Sequence, residues 1–178
     1  MQRLSEAALE GIIRTELTGS RTFYMSGLSW LKIEDELFNT FSSGASMFLI
    51  HLGTYYGRSL TKEAKLAFSD TEGIFERLKT MLLTAGWGQL SITRSHGDER
   101  NIEIELRNCI FCSEETKSLS CYFLQGVVAG ALAEAFGREY KVTETECCRK
   151  GAESCKLTAT LGSVREVPGV HSAGSETE

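Results

Sequence analysis

The sequence contains a single proline, Pro168, and no cysteine in its first 108 residues. Because no proline interrupts the chain before position 168, the preceding helices and strands are free to be long and regular. No segment reaches the roughly 18 apolar residues that a membrane-spanning helix needs. The N-terminus from Met1 lacks the apolar core of a signal peptide. We therefore expect a cytoplasmic protein with no membrane partner.

Basic clusters and catalytic signatures are also missing. The 178-residue chain carries a net charge of −5, and its densest basic pair near the cysteines is Arg149-Lys150. This balance argues against direct binding to nucleic acid, which requires a concentrated positive surface. The chain has no HExxH sequence, no glycine-rich phosphate loop and no nucleophile with a partnered base. We therefore lean against an enzyme.

Hydrophobic periodicity predicts an α+β fold. Helical spacing runs from Glu34 to Leu60, from Lys62 to Thr84 and from Lys117 to Phe136. Alternating patterns predict a hairpin over 89–107 and a second hairpin over 139–161. Because the alternating strands have one apolar and one polar face, we expect an antiparallel sheet with helices packed on one face.

The domain boundaries follow from the same patterns. Residues 1–21 carry helix formers and are predicted to be an N-terminal helical lead-in. Residues 22–162 are predicted to form one ligand-binding-size domain, since a chain of this length buries a proper core. Residues 163–178 are polar, without an apolar period, and are predicted to be a disordered tail.

All six cysteines lie between positions 109 and 155, which favours a metal site in a reducing compartment. The predicted hairpin brings Cys147 and Cys155 together, and a crossing helix adds Cys121. With Glu144 these residues make a closed shell of four ligands, which is typical of structural zinc. The alternative is that Cys121 is an ordinary buried thiol and Glu144 a solvated side chain.

The pair Cys109-x2-Cys112 has the spacing of a metal knuckle or a redox pair. The two cysteines form a second metal site, a regulatory disulfide, or ligands of the first site together with Cys147 and Cys155. The sequence leaves these three alternatives open.

A ligand pocket is a further hypothesis. Gly126 and Gly130 lie on one face of the third predicted helix, where small residues leave room for a ligand or let another helix approach closely. Large apolar residues of the earlier segments are candidates for its walls, although an aromatic stripe at helical spacing is also typical of plain core: Phe48, Leu52, Tyr55 and Trp87.

The segment from Cys121 to Cys155 resembles the 4-vinyl-reductase-type domain. The resemblance rests on Cys121, on Gly126 and Gly130, on the run Val142 to Cys147, and on Gly151 with Cys155; the Gly53/Gly57 helix and the Gly86-Trp87-Gly88 turn extend it over about residues 22–162. It implies the fold of NO-signalling and Golgi-transport ligand-binding domains, shared by phenol-activator sensor domains and TRAPP small subunits. It also implies zinc held by Cys121, Glu144, Cys147 and Cys155, and a homodimer.

Three functions follow from these observations and the resemblance. The first is a stand-alone sensor module that binds a small hydrophobic or aromatic ligand and acts through an unknown output protein. The second is a thiol redox sensor that uses Cys109 and Cys112. The third is a tetrapyrrole vinyl reductase or its accessory protein, although no nicotinamide or flavin fingerprint is present.

Overall fold

The computed structural model describes residues 13–14, 21–22, 25–94, 99–112 and 120–162. Four helices and six strands occur in this part of the chain. The helices are α1 (Gly27–Phe41), α2 (Gly44–Lys65), α3 (Thr71–Thr84) and α4 (Tyr122–Phe136). The strands are β1 (Ile13–Arg14), β2 (Arg21–Thr22), β3 (Gln89–Arg94), β4 (Asn101–Arg107), β5 (Tyr140–Glu146) and β6 (Cys155–Leu161).

The main sheet has four antiparallel strands in the order β3-β4-β6-β5. The two predicted hairpins, β3-β4 and β5-β6, are both present, and β4 joins them by pairing with β6. Side chains alternate along β4, where Ile102, Ile104 and Leu106 are buried and Asn101 and Glu103 are exposed. The apolar face of the sheet therefore points at the helices, which confirms the predicted α+β class.

Helices α2 and α4 pack directly on one another through four glycines. A Cβ added to Gly53 or Gly57 would overlap the backbone of α4, and one added to Gly126 or Gly130 would overlap the carbonyl oxygens of α2. No larger residue fits while the backbones stay this close. The structure thus assigns Gly126 and Gly130 to helix packing, the alternative to the ligand space that the sequence also allowed.

The predicted helix boundaries need three corrections. The first predicted helix is two helices, because the chain turns at Ser42, whose φ of 49° is outside the helical region. The second predicted helix is also divided, and Asp70 begins α3 by accepting a hydrogen bond from the Gly73 N–H at 2.8 Å. The third begins at Tyr122 in the described residues.

The predicted helical lead-in over residues 1–21 is wrong at residues 13–14, which pair with residues 21–22 as strands. The two adjacent β-branched residues Ile12 and Ile13 favour extended backbone over helix. The rest of this segment, the turn at 95–98 and the predicted tail at 163–178 lie outside the described residues. None of the described helices combines the length and the apolar character needed to cross a bilayer.

Candidate metal centre and apolar cavity

Cysteine sulfurs from three separate parts of the chain converge at one buried point. The Sγ atom of Cys112 lies 3.4 Å from that of Cys121, 3.9 Å from that of Cys147 and 3.3 Å from that of Cys155. The Cys121 sulfur lies 3.8 Å from that of Cys147 and 4.0 Å from that of Cys155. All six cysteines are free thiols. Such a cluster has the donors and spacing of a site for a thiophilic metal ion.

The turn between β5 and β6 presents two of these sulfurs. Cys147 follows the last residue of β5, and its carbonyl accepts hydrogen bonds from the N–H groups of Lys150 at 2.9 Å and Ala152 at 3.3 Å. Gly151 closes the turn at φ 89°, a conformation that residues with a side chain rarely adopt. The chain then enters β6 at Cys155, so both thiols face the same point.

The other two sulfurs come from the segments before α4. Cys112 ends a single 3₁₀ turn, Ile110–Cys112, in which its N–H donates to the carbonyl of Cys109 at 3.0 Å. Cys121 is the residue from which α4 begins. The amino end of a helix carries a partial positive charge, which favours ionised sulfur beside it.

Glu144 lies beside this cluster and is held by the start of α4. Its carboxylate accepts hydrogen bonds from the Ser120 hydroxyl at 2.6 Å and from the Cys121 N–H at 3.2 Å. A carboxylate oxygen of Glu144 also lies within 4.8 Å of the sulfurs of Cys121, Cys147 and Cys155. The structure therefore brings the four residues of the predicted zinc site together.

Cys109 and Cys112, predicted as a separate pair, lie in the same cluster. The sulfurs of Cys109, Cys112, Cys121 and Cys155 are all within 4.8 Å of one another. A second, separate metal site at this pair does not match that geometry, whereas the alternative in which the pair joins the first site does. Cys148 is also close, with its sulfur 3.8 Å from that of Cys155.

Hydrogen bonds among the thiols separate their acidities. Bonds from Cys109 and then from the other clustered thiols hold the pKa of Cys112 below its ordinary value. Bonds to Cys109 and the same neighbours, together with burial, raise the pKa of Cys121. Negative charge in the cluster therefore concentrates first on the sulfur of Cys112.

One arginine ties the segments that carry the cysteines to each other. Arg149 donates from Nε to the carbonyl of Phe111 at 2.7 Å and from Nη1 to the carbonyl of Ser120 at 3.2 Å. These carbonyls belong to the residues immediately before Cys112 and Cys121. The sequence showed Arg149 only as part of a basic pair, and nothing in its spacing indicated that its side chain turns inward.

A small apolar cavity of about 30 Å³ lies between the sheet and the helices. Its walls are aliphatic apart from one phenyl ring: Leu60, Phe75, Leu78, Leu82, Leu90, Ile92, Ile104, Leu124, Val127, Val128, Ala131 and Leu132. The space holds little more than one or two water-sized spheres, and without polar partners it is expected to be dry.

None of the six residues predicted to line a pocket contributes to this cavity. Phe48, Leu52 and Tyr55 are exposed on α2, with 53%, 41% and 76% of their surface accessible. Helical periodicity identified an apolar stripe there, but the buried face of α2 is the one with Leu49 and the glycines. Large residues could not sit at that face because α4 packs too closely.

Trp87, the other predicted wall residue, belongs to a group of packed aromatic rings. Its ring stacks on Tyr56 at 5.5 Å and meets Phe111 edge-on at 5.1 Å. Phe123 lies 5.9 Å from Trp87 and 4.6 Å from Trp30. Phe111 and Phe123 are near neighbours in sequence of Cys112 and Cys121, so this aromatic cluster extends from the cysteine cluster towards α1 and α2.

Comparison with solved structures defines the class of protein. The phenol-responsive sensory domain of the transcription activator PoxR, solved with phenol, matches with a TM-score of 0.69 and 14% identity, covering 89% of this chain and 92% of that one. A vinyl-4-reductase family protein from Methanocaldococcus jannaschii matches at 0.56 and 22%, covering 92% and 99%. At these identities the matches show a shared α+β fold.

The family comparison gives the particular domain. Residues 102–161, from β4 to β6, match the family model of the vinyl-4-reductase domain. Subunit 3 of the trafficking protein particle complex from Naegleria fowleri, covalently bound to palmitic acid, has the same fold at a TM-score of 0.56 and 12% identity, covering 77% of this chain and 93% of that one. The resemblance predicted from the sequence is thus confirmed. A search of curated proteins found no match.

Proposed function

We propose that this protein is a small-molecule sensor or binding module, which takes a hydrophobic or aromatic ligand between its sheet and its helices. The observation that carries the proposal is the cavity beneath β3 and β4, whose walls are apolar throughout. The likeness of the whole chain to the phenol-responsive domain of PoxR supports it, since that domain was solved with phenol.

The walls of the cavity restrict the ligand. A hydroxyl or carboxylate buried among aliphatic side chains without a hydrogen-bond partner costs several kcal/mol, about 1–3 by mutational measurements. The cavity therefore favours hydrocarbon groups over strongly polar ones. At about 30 Å³ it is also smaller than the roughly 150 Å³ that holds a benzene molecule. Binding of a ring requires Leu78, Leu82 or Phe75 to change rotamer, and this movement is the event that the module reports.

A zinc ion in the cysteine cluster is the second part of the proposal. Cys121, Cys147 and Cys155 supply three buried thiolates, and a fourth donor closes the shell, so zinc has no open position and its role is structural. When bound, the ion ties the start of α4 to the β5-β6 turn. Since Leu124 to Leu132 of α4 form one wall of the cavity, the metal centre fixes the helix on which ligand binding depends.

A homodimer is the third part. The residues Phe48, Leu52 and Tyr55 form one exposed stripe along α2, and Met47 beside them is 61% exposed. A contiguous apolar stripe of this kind is typical of an interface. The partner that receives the signal is a separate protein that these residues do not identify.

The test combines metal analysis with ligand binding. Tag-free protein is titrated with toluene and with phenol while the fluorescence of its two tryptophans, Trp30 and Trp87, is recorded together with the melting temperature. Toluene is expected to raise the melting temperature more than phenol does, because the cavity offers no partner to a hydroxyl. The substitution Ala131→Leu fills the cavity and is expected to abolish the effect with zinc content unchanged. No response to either compound would contradict the proposal.

A thiol redox sensor is a second candidate, favoured by the fifth thiol, Cys109, beside the four at the centre. Two thiols and one peroxide molecule would give a Cys109–Cys112 disulfide and two waters. Disulfide mapping by mass spectrometry after peroxide treatment is the test. Recovery of both thiols in the reduced form would exclude this function.

A further inference from the structure

The identity of the fourth ligand follows from the sulfur positions, given the zinc centre proposed above. Four sulfurs bound about 2.3 Å from a tetrahedral zinc lie about 3.8 Å from one another. Five of the six distances among Cys112, Cys121, Cys147 and Cys155 fall between 3.3 and 4.0 Å. The sixth, from Cys147 to Cys155, is within 4.8 Å. These four sulfurs thus already stand near the corners of a tetrahedron of the right size.

Glu144 has a different set of contacts. Its carboxylate is engaged with the Ser120 hydroxyl at 2.6 Å and with the Cys121 N–H at 3.2 Å. The Ser120 hydroxyl in turn accepts from Gln125 Nε2 at 2.9 Å. An acidic side chain at the amino end of a helix is stabilised by the helix dipole and by the free N–H groups. Glu144 therefore has a complete role as an anchor for the start of α4 without binding a metal.

Arg149 distinguishes Cys112 from the other thiols near the centre. Its hydrogen bonds to the carbonyls of Phe111 and Ser120 hold the backbone just before Cys112 and Cys121. Four thiolates and one Zn²⁺ leave a net charge of −2, and the buried guanidinium places a positive charge next to it. Ligand segments held by hydrogen bonds from a neighbouring residue are typical of metal sites that are organised in advance.

Cys109 and Cys148 are the remaining thiols. Cys109 is grouped with Cys112, Cys121 and Cys155, but it does not share a compact donor set with Cys147. The sulfur of Cys148 lies 3.8 Å from that of Cys155, at the edge of the cluster. Each is therefore near the centre without completing a tetrahedron with all the others, which makes them matched controls.

We propose that the metal centre of this chain consists of four thiolates, those of Cys112, Cys121, Cys147 and Cys155, and that Glu144 is a positioning residue for α4. The centre is thereby of a different donor class from three thiolates and a carboxylate. Four sulfur donors favour zinc and other soft metals over hard, oxygen-seeking ions.

X-ray absorption at the zinc edge of the zinc-loaded, tag-free protein tests the proposal directly. The expected first shell has four sulfurs at about 2.3 Å. The substitution Cys112→Ser is expected to lower the sulfur count to three, whereas Cys109→Ser and Glu144→Gln leave it at four. Melting temperatures of the same samples show that each variant is folded.

Two results would overturn the proposal, and they differ in what else they affect. A wild-type shell of three sulfurs and one oxygen at about 2.0–2.2 Å, with the oxygen lost in Glu144→Gln, would assign the fourth position to the carboxylate and leave the zinc centre intact. Folded wild-type protein that binds no zinc would overturn both the ligand set and the zinc centre.

Discussion

The guanidinium of Arg149 and the carboxylate of Glu34 form an ion pair at 2.7 Å in which the side chains are only 2% and 1% exposed. Glu34 lies on α1, 115 residues from its partner, so the pair joins the first helix to the turn that carries Cys147. Burial raises the pKa of Glu34, against the opposing effect of Arg149. The pair therefore connects the cysteine cluster to an element outside the region that matches the vinyl-4-reductase domain.

Removing Glu34 should be costly. In Glu34→Ala the buried guanidinium keeps its backbone contacts but loses its counter-charge, and breaking a buried pair in this way costs about 3–5 kcal/mol. We expect urea unfolding to show a loss of that size. The matched control is Glu36→Ala, since Glu36 is a residue of the same helix that accepts a bond from Asn39 at the surface. A loss below about 1 kcal/mol in Glu34→Ala, similar to the control, would contradict this account.

The glycines between α2 and α4 provide a second prediction. Gly126→Ala places a methyl group against the backbone of α2, and we expect a loss at or above the upper end of the roughly 1–3 kcal/mol typical of overpacking. Gly44→Ala is the control, because the nearest atom to its added Cβ is 3.9 Å away, and alanine improves a helix by up to about 1 kcal/mol. Thermal unfolding measures both. Equal stability of the two variants would show that the helices are not in close contact.

Enlarging the cavity should strengthen ligand binding. Leu82 is 6% exposed and lines the cavity, whereas its neighbour Leu83 is 54% exposed. We expect Leu82→Ala to lose about 2–5 kcal/mol of stability and to bind benzene or toluene more tightly than the wild type, as vacated apolar space does. Calorimetric titration is the measurement. Leu83→Ala should leave both quantities unchanged, and an equal effect in the two variants would contradict the assigned location of the pocket.

The exposed stripe of α2 predicts the assembly state. Phe48→Glu places a charge in the centre of the proposed interface, and we expect the protein to sediment as a monomer where the wild type sediments as a dimer. Leu66→Glu is the control, since Leu66 is 69% exposed but lies beyond the end of α2, away from the stripe. A monomeric wild type at micromolar concentration would contradict the dimer.

Much of the fold was predictable, because it depends on local patterns. The alternation along β4 and β6 indicated both hairpins and the face that is buried, and the Ser69-Asp70 pair marked the start of α3. Breaks that depend on one backbone torsion, such as that at Ser42, leave little trace in apolar spacing. Helical periodicity also could not tell which stripe of α2 is buried, since four close-packed glycines took the place that large residues occupy in most cores.

The site was predicted less completely. Clustering of the cysteines indicated a metal site and identified Cys121, Cys147 and Cys155, because a hairpin and a crossing helix bring these together without long loops. The positions of Cys112 and Arg149 depend on the fold of the segment around Phe111. No spacing rule connects residues 112, 121 and 149, so their contacts appear only in three dimensions.

The measurement that tests the account most directly is the metal content of tag-free protein purified without added zinc, compared with Cys121→Ser. We predict one zinc per chain in the wild type, none in the variant, and a lower melting temperature when a chelator removes the metal. A well-folded wild type that contains no metal, and whose melting temperature does not respond to zinc or chelator, would contradict the account.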